Sequence, residues 1–335
     1  MIRKLLVCLF NDKFKLPREL PFYEEVLKDC KFFSISPQIY VLLKQRNLLH
    51  ETPYFFQTAL RHSYIWALSQ NLLLRNETEQ IYHAFEREKL YIIPLNGTGF
   101  VESYFGDIGG RLKTKLHFLV RIEDREQAAD ALKLMGYTLH EGHKYVSGSL
   151  TFLRALSNSS TPYTVVLHAE SLHYYHSRAH LLRIEHLFWE RAVPLKPFNF
   201  VKQLSPIDTF HLITMHDWNM REKSFKYVLD ILLMMERCQG RFDFASIFSE
   251  ASEMHNYRRM SKVLKIVLDM FPELTFVRPL CFIIKPRNRR KLYFYRNEMF
   301  EPLRLKAKRT FRKSFDYDTL GDGIRAFFRW IQILD

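Results

Sequence analysis

The residues richest in chemistry fall in three places. Five histidines, His168, His173, His176, His180 and His186, crowd one stretch of the chain. If Ser171 to Glu185 is helical, His173, His176 and His180 share a face at i, i+3 and i+7. Imidazoles at such spacing can ligate zinc. There is no HExxH, however, and Tyr174 and Tyr175 interleave, which favours solvated or hydrogen-bonded rings. The second place is the turn Asn96-Gly97-Thr98-Gly99 and the loop Asp107-Ile108-Gly109-Gly110-Arg111. The turn is too short to count as a phosphate-binding glycine loop, and the loop reads as a flexible turn from which Arg111 can reach a phosphate, although a loop arginine is more often merely solvated. The third is a basic stretch with interleaved aromatics, Lys285 to Lys313. No GxSxG, no P-loop ending in GK[ST] and no GxGxxG is present, so activated-serine and P-loop chemistry lack a basis. Cys8, Cys30, Cys238 and Cys281 stand far apart without a CxxC pair, which argues against a thiolate zinc site or a disulfide framework.

These residues need elements to hold them. Apolar residues recur at helical spacing from Phe22 to Leu73, punctuated by Pro21, Pro37 and Pro53. The pattern then changes. Tyr91 to Leu95 and Leu116 to Val120 are short apolar runs that predict strands, and Tyr163 to His168 predicts a third, with Lys144 to Phe152 as a candidate fourth. Asp124 to Met135 is an amphipathic helix stopped by Gly136. Helical periodicity returns over 208–219, 223–237, 244–254 and 258–271. Leu280, Phe282, Ile283 and Ile284 read as a buried strand. The sum is an α/β (α+β) protein, mostly helical, with a small mixed sheet. The expected regions are a helical one over 1–80, a sheet-bearing core over 81–190, a helical one over 191–277 and a basic extension over 278–335.

The order of residues through the middle carries a resemblance. Leu95-Asn96-Gly97 comes first, then Tyr104-Phe105-Gly106, Arg111, Lys115 to Val120, Ala128, Leu132, Gly136-Tyr137 and Leu167-His168. Downstream come Leu204 to His216 and Tyr227-Val228-Leu229-Asp230. The series resembles the uncharacterised bacterial nucleotidyltransferase family over roughly residues 20 to 275. The resemblance implies the nucleotidyltransferase fold and transfer of a nucleoside monophosphate from a triphosphate to an acceptor hydroxyl. In that family two aspartates at i and i+2 of one strand, with a third carboxylate on a neighbouring strand, hold two divalent metals that clamp the triphosphate. This sequence departs at those positions. Lys115 and His117 stand where the aspartates belong, Val166 falls where the third carboxylate belongs, and Asn96 replaces a lysine before Gly97. A charged lysine has no lone pair for a metal, and His117 suits zinc or manganese better than magnesium. Magnesium therefore enters only if carboxylates have moved, with Glu102, Asp107 and Glu170 as the candidates. His117 and Glu170 are weak metal candidates. The alternative to a dead or relocated metal site is a phosphate-bearing ligand bound without metal at Asn96, Gly97, Arg111, Lys115 and His168. The resulting expectation is a divergent, catalytically impaired member, a pseudoenzyme.

Charge adds a second reading. Of the net charge of +14, residues 278–313 carry +11, from thirteen Lys and Arg against Glu298 and Glu301. Such a segment suits nucleic acid or an anionic membrane surface. Residues 324–334 line Ile324, Phe327, Phe328, Ile331 and Leu334 along one helical face, able to dock on the protein or lie in an interface. No apolar run reaches the length of a membrane span, and the apolar start, Leu5 to Phe10, is too short for a secretory leader. The expected location is the cytoplasm, with peripheral membrane contact through the basic segment, and the expected alternative function is that of a non-catalytic binding protein.

Overall fold

The computed structural model describes residues 1–95, 97–140, 149–156, 159–169, 186–215 and 224–284. The chain divides into two compact units, each made of separate stretches. The first comprises Met1–Leu68, Tyr104–Arg111 and Phe210–Asp335; the second comprises Ser69–Ser103 and Leu112–Thr209.

The second unit is built on a five-stranded sheet. Its strands are β1 (Ile92–Leu95), β2 (Leu116–Val120), β3 (Thr138–Leu139), β4 (Ser149–Leu156) and β5 (Ser159–His168), in the order β1-β2-β5-β4-β3. Only β2 and β5 run parallel; the other neighbours are antiparallel. Alternation along the strands sends Ile92, Leu116, Phe118, Val120, Phe152, Val165 and Leu167 to one face. There they pack with Leu74, Ile81 and Phe85 from the later half of a 34-residue helix, Tyr54–Arg87, and with Ala128, Ala131 and Leu132 of helix Arg125–Leu134. Gly136 ends that second helix with φ of 85°, a conformation that favours glycine. The opposite face carries Leu95, His117, Leu119, Val166 and His168 by the same register.

A buried polar knot ties the long helix to the sheet. Glu77 forms an ion pair with Arg154 of β4 and accepts a 2.6 Å hydrogen bond from the Tyr137 hydroxyl. The Arg154 guanidinium lies over the rings of Tyr137 and Tyr163. Burial first, and the bond to Glu77 second, push the Tyr137 phenol well above its ordinary range, so it stays a donor.

The first unit is helical. Helices Ile2–Phe10, Leu20–Phe32, Ser36–Gln45 and the early half of Tyr54–Arg87 are joined by Ser224–Arg237, Phe244–Glu253 and Tyr257–Met270. Its core includes Leu5, Leu6, Tyr23, Phe56, Phe225 and Phe271, all essentially inaccessible. Phe33 stacks on Phe225 at 4.7 Å. His211 is fully buried and reaches Glu250 on another helix at 3.4 Å.

Two expectations need correction. Residues 278–284 are not a strand: Arg278–Phe282 is a 3-10 turn, Leu280 is buried and Phe282 is 91% exposed. Pro279, which lacks an N–H, suits the first turn of a helix and not a central strand. Nor is 107–111 a flexible turn. Ile108–Gly110 is a 3-10 turn capped by Asp107, with Gly109 and Gly110 buried. A Cβ on Gly109 would stand 2.6 Å from the Tyr64 ring, so the glycines are there for close packing.

Candidate functional site

Strand register places Lys115, His117 and Val166, the positions to which the resemblance assigns metal ligands, on one side of adjacent strands. In the parallel pair β2–β5, His117 lies directly beside Val166, and Leu119 beside His168. Lys115 precedes β2 by one residue and shares the parity of His117. The side chains now occupying these positions differ in exposure: Lys115 is exposed, His117 half-buried and Val166 buried.

His117 and His168, 51 residues apart in sequence, meet here. Nδ1 of His117 is 3.1 Å from Nε2 of His168, with the rings 5.4 Å apart and 20° from parallel. Two residues' difference in register accounts for the approach: His168 sits one step along the same face from Val166, the strand neighbour of His117. A contact of this length between ring nitrogens is a hydrogen bond, with one nitrogen donating and the other accepting.

The turn after β1 faces the same strand. Leu95, the last residue of β1, pairs with His117, and helix Thr98–Phe105 begins directly after Gly97. A Cβ at Gly97 would meet nothing within 4 Å. Packing therefore does not demand glycine at this position, and the bare backbone leaves the helix start open to a ligand, where N–H groups favour anions. Asn96 lies outside the described residues.

The remaining sequence candidates go elsewhere. Arg111 belongs to the first unit, is buried, and pairs with Asp230 at 2.8 Å, with side chains 8% and 2% exposed. Its guanidinium lies 5.6 Å from the Tyr227 ring centre. Burial raises the Tyr227 phenol, with Arg111 working against that rise. The structure thus gives Arg111 a structural partner in place of the phosphate suggested by its loop position. Among the relocated-carboxylate candidates, Glu102 pairs with Arg75 at 3.0 Å. Asp107 accepts from the Gly109 N–H at 2.8 Å and from the Tyr64 hydroxyl at 3.0 Å. Burial, then Asp107, pushes the Tyr64 phenol up to about 12. Glu170, His173, His176, His180 and His216 lie outside the described residues, as do 285–335 with most of the basic segment. Among the described residues no group of three or more His, Cys, Asp or Glu is placed to hold a metal. No helix there is long and apolar enough to cross a membrane.

A concavity that sequence reasoning missed lies past the ends of β2 and β5. It has a volume of about 410 Å³, and its lining includes Val120, Arg121, Glu123, Ala169, His186 and Trp189. The Arg121 guanidinium lies over Trp189 at 5.5 Å and over Tyr91 at 5.0 Å. The only sequence signal for it was the Arg121 that follows β2, which is indistinguishable from a solvated strand-end charge.

A sheet with one parallel pair, a glycine turn after its edge strand and a shared face at positions 115, 117 and 166 defines a nucleotidyltransferase-type core. The sequence model of the family described as "uncharacterised nucleotidyltransferase" matches residues 23–272, most of the chain, and the protein belongs to that family. Neither a curated protein nor a solved structure matches it.

Proposed function

We propose that this family member has lost magnesium-dependent nucleotidyl transfer and binds a phosphate-bearing ligand without metal, on the sheet face that carries Lys115, His117 and His168. One observation carries the reading. Where the family's chemistry needs three carboxylates on adjacent strands, Lys115, His117 and Val166 supply a cation, an imidazole and a methyl-lined wall. A two-metal mechanism has no anionic ligands to work with at these positions. Lys115 brings a positive charge of its own, and lysine is a common phosphate partner. Gly97 and the helix start at Thr98 add N–H donors just beyond β1, the strand whose last residue, Leu95, pairs with His117.

The concavity at Trp189 supports a nucleotide over inorganic phosphate. Val120 lies three residues along β2 from His117, about 10 Å at the rise of a strand. An aromatic wall and about 410 Å³ suit a nucleoside at that distance from its phosphates. Calorimetry with nucleoside triphosphates, in magnesium and in chelator, tests the reading together with an assay for labelled transfer to a panel of acceptors. The expected result is equal affinity in both buffers and no transfer. Binding that disappears with chelator, or labelled product, defeats it.

The second reading is binding to polyanions through residues 278–313. What favours it is the concentration of +11 of the +14 net charge in that one segment.

A further inference from the structure

We propose that the concavity past the ends of β2 and β5 reads the base of the bound nucleotide and takes guanine. The proposal rests on the nucleotide reading above and goes beyond it by naming the base. The lining brings together one guanidinium, Arg121, two carboxylates, Glu123 and Glu190, and the indole of Trp189. Aromatic rings hold Arg121: its guanidinium lies 5.5 Å from the centre of the Trp189 ring and 5.0 Å from that of Tyr91. A guanidinium stacked in this way still directs its N–H donors outward in its own plane, as a fixed fork. Its carboxylate partner among the described residues, Glu123, stands 3.9 Å away, beyond hydrogen-bond reach. Glu190 lies 3.4 Å from the His186 ring through one oxygen. A carboxylate has two oxygens and about four acceptor sites, so that contact leaves Glu190 further capacity to accept.

Guanine is the base whose edges fit this set. Its O6 and N7 are adjacent acceptors, the usual bidentate target of arginine. Its N1–H and 2-amino group are adjacent donors and suit a carboxylate, which when ionised only accepts. Adenine carries an amino donor where guanine has O6, against the donors of the guanidinium, and an acceptor where guanine has N1–H, against the carboxylate. Cytosine and uracil lack the pair of adjacent donors. Selection therefore comes from mismatch as well as match. Trp189 offers any base a stacking face, which adds affinity without choosing among them. Val120 and Ala169, both buried, keep part of the lining apolar, as the faces of a purine require. A bidentate contact is worth roughly fivefold to a hundredfold in base discrimination. Glu123 and Glu190 are 63% and 57% exposed, so water competes and the lower end applies.

The test uses the full chain, in chelator throughout, and measures by calorimetry the affinities for GTP, ATP, CTP, UTP and two analogues. Inosine triphosphate lacks the 2-amino donor, and 7-deaza-GTP lacks the N7 acceptor. Expected is a preference of about tenfold for GTP over ATP, with both analogues falling between the two. Arg121→Lys, which keeps the charge and loses the fork, should remove the penalty for 7-deaza-GTP. The double variant Glu123→Gln, Glu190→Gln should remove the penalty for inosine triphosphate. Circular dichroism checks folding, and the analogue series on the parent decides the matter if a variant unfolds. Equal affinity for the four triphosphates, or a preference for another base, overturns the guanine reading and leaves metal-free nucleotide binding standing. A GTP preference unchanged in both variants places base recognition outside this concavity and overturns the proposal. A parent that binds no triphosphate overturns both readings.

Discussion

At the scale of single residues, three positions carry the proposed loss of metal chemistry. On that proposal, Lys115 sets a cation, His117 an imidazole and Val166 an apolar side chain where the family resemblance implies carboxylate ligands. Since β2 and β5 keep the register that would bring three carboxylates together, restoring them should restore a cation site. The variant Lys115→Asp, His117→Asp, Val166→Asp is expected to bind magnesium or manganese saturably by calorimetry, where the parent shows none. Val166 is buried, so the pair Lys115→Asp, His117→Asp serves as a milder version. If both variants fold and neither takes up metal, these positions do not converge on one ion. Much of this was legible in the sequence, because Leu-His-Phe-Leu-Val announces a strand and the ordered series of residues locates its neighbours. The bond between His117 and His168 was not legible. It depends on which strands are adjacent and in what register, and neither is encoded by local pattern.

At the scale of elements, long-range polar contacts fix how helices meet the sheet. Arg154 on β4 neutralises Glu77, whose side chain is only 2% exposed, so removing the guanidinium leaves a nearly buried carboxylate. Breaking one side of such a pair is costly, and because Arg154 is itself 25% exposed the full figure should be discounted. Arg154→Met is expected to cost about 2 kcal/mol in urea unfolding, and Glu77→Gln in the same background should recover part of it. A stabilising effect of Glu77→Gln alone would show that the pair is not holding the helix.

A second carboxylate, Glu86 near the end of the long helix, accepts from the N–H of Asn199 at 2.9 Å and of Phe200 at 2.8 Å. Desolvation pushes its pKa up, but these donors outweigh it and the net shift is downward from 4.5. A depressed carboxylate stabilises the folded state above its ordinary pKa, and the effect is lost as pH falls through the lower folded value. Hydrogen exchange of the Asn199 and Phe200 amides should therefore be slow above pH 4.5 and gain an acid-side opening absent from Glu86→Gln, whose opening is pH-independent. The strands and helices themselves followed from periodicity. The turns did not: Gly109-Gly110 looks like a hinge by composition, and only the Tyr64 ring 2.6 Å from a Gly109 Cβ shows it to be a packing site. Likewise the apolar residues after Arg278 suggested a strand until Pro279 took the first turn of a helix.

At the scale of the whole molecule, charge is the feature that sequence alone displays. With +11 in residues 278–313, the rest of the chain is nearly neutral at +3. Replacing Arg287, Arg289, Arg290 and Lys291 by Gln should weaken binding to nucleic acid and to anionic vesicles and flatten its salt dependence, since each phosphate contact releases condensed counterions. Those four sites avoid Leu280 and Ile284, which are buried, so the fold should survive. Unchanged binding at low salt in a folded variant removes the support for the polyanion reading.

The division into units bears on how the chain is made. The first unit begins at Met1 but needs Phe210 and the residues after it, whereas the second is complete by Thr209 apart from the insertion Tyr104–Arg111. During synthesis the helices of residues 1–68 can pair with one another, as Tyr23 and Phe56 do at 5.1 Å, but they wait for later core residues such as Phe225 and Phe271 while more than a hundred further residues are added. The sheet-bearing unit can close its core during that interval. The two cores are therefore completed in the reverse of the order in which their first residues appear.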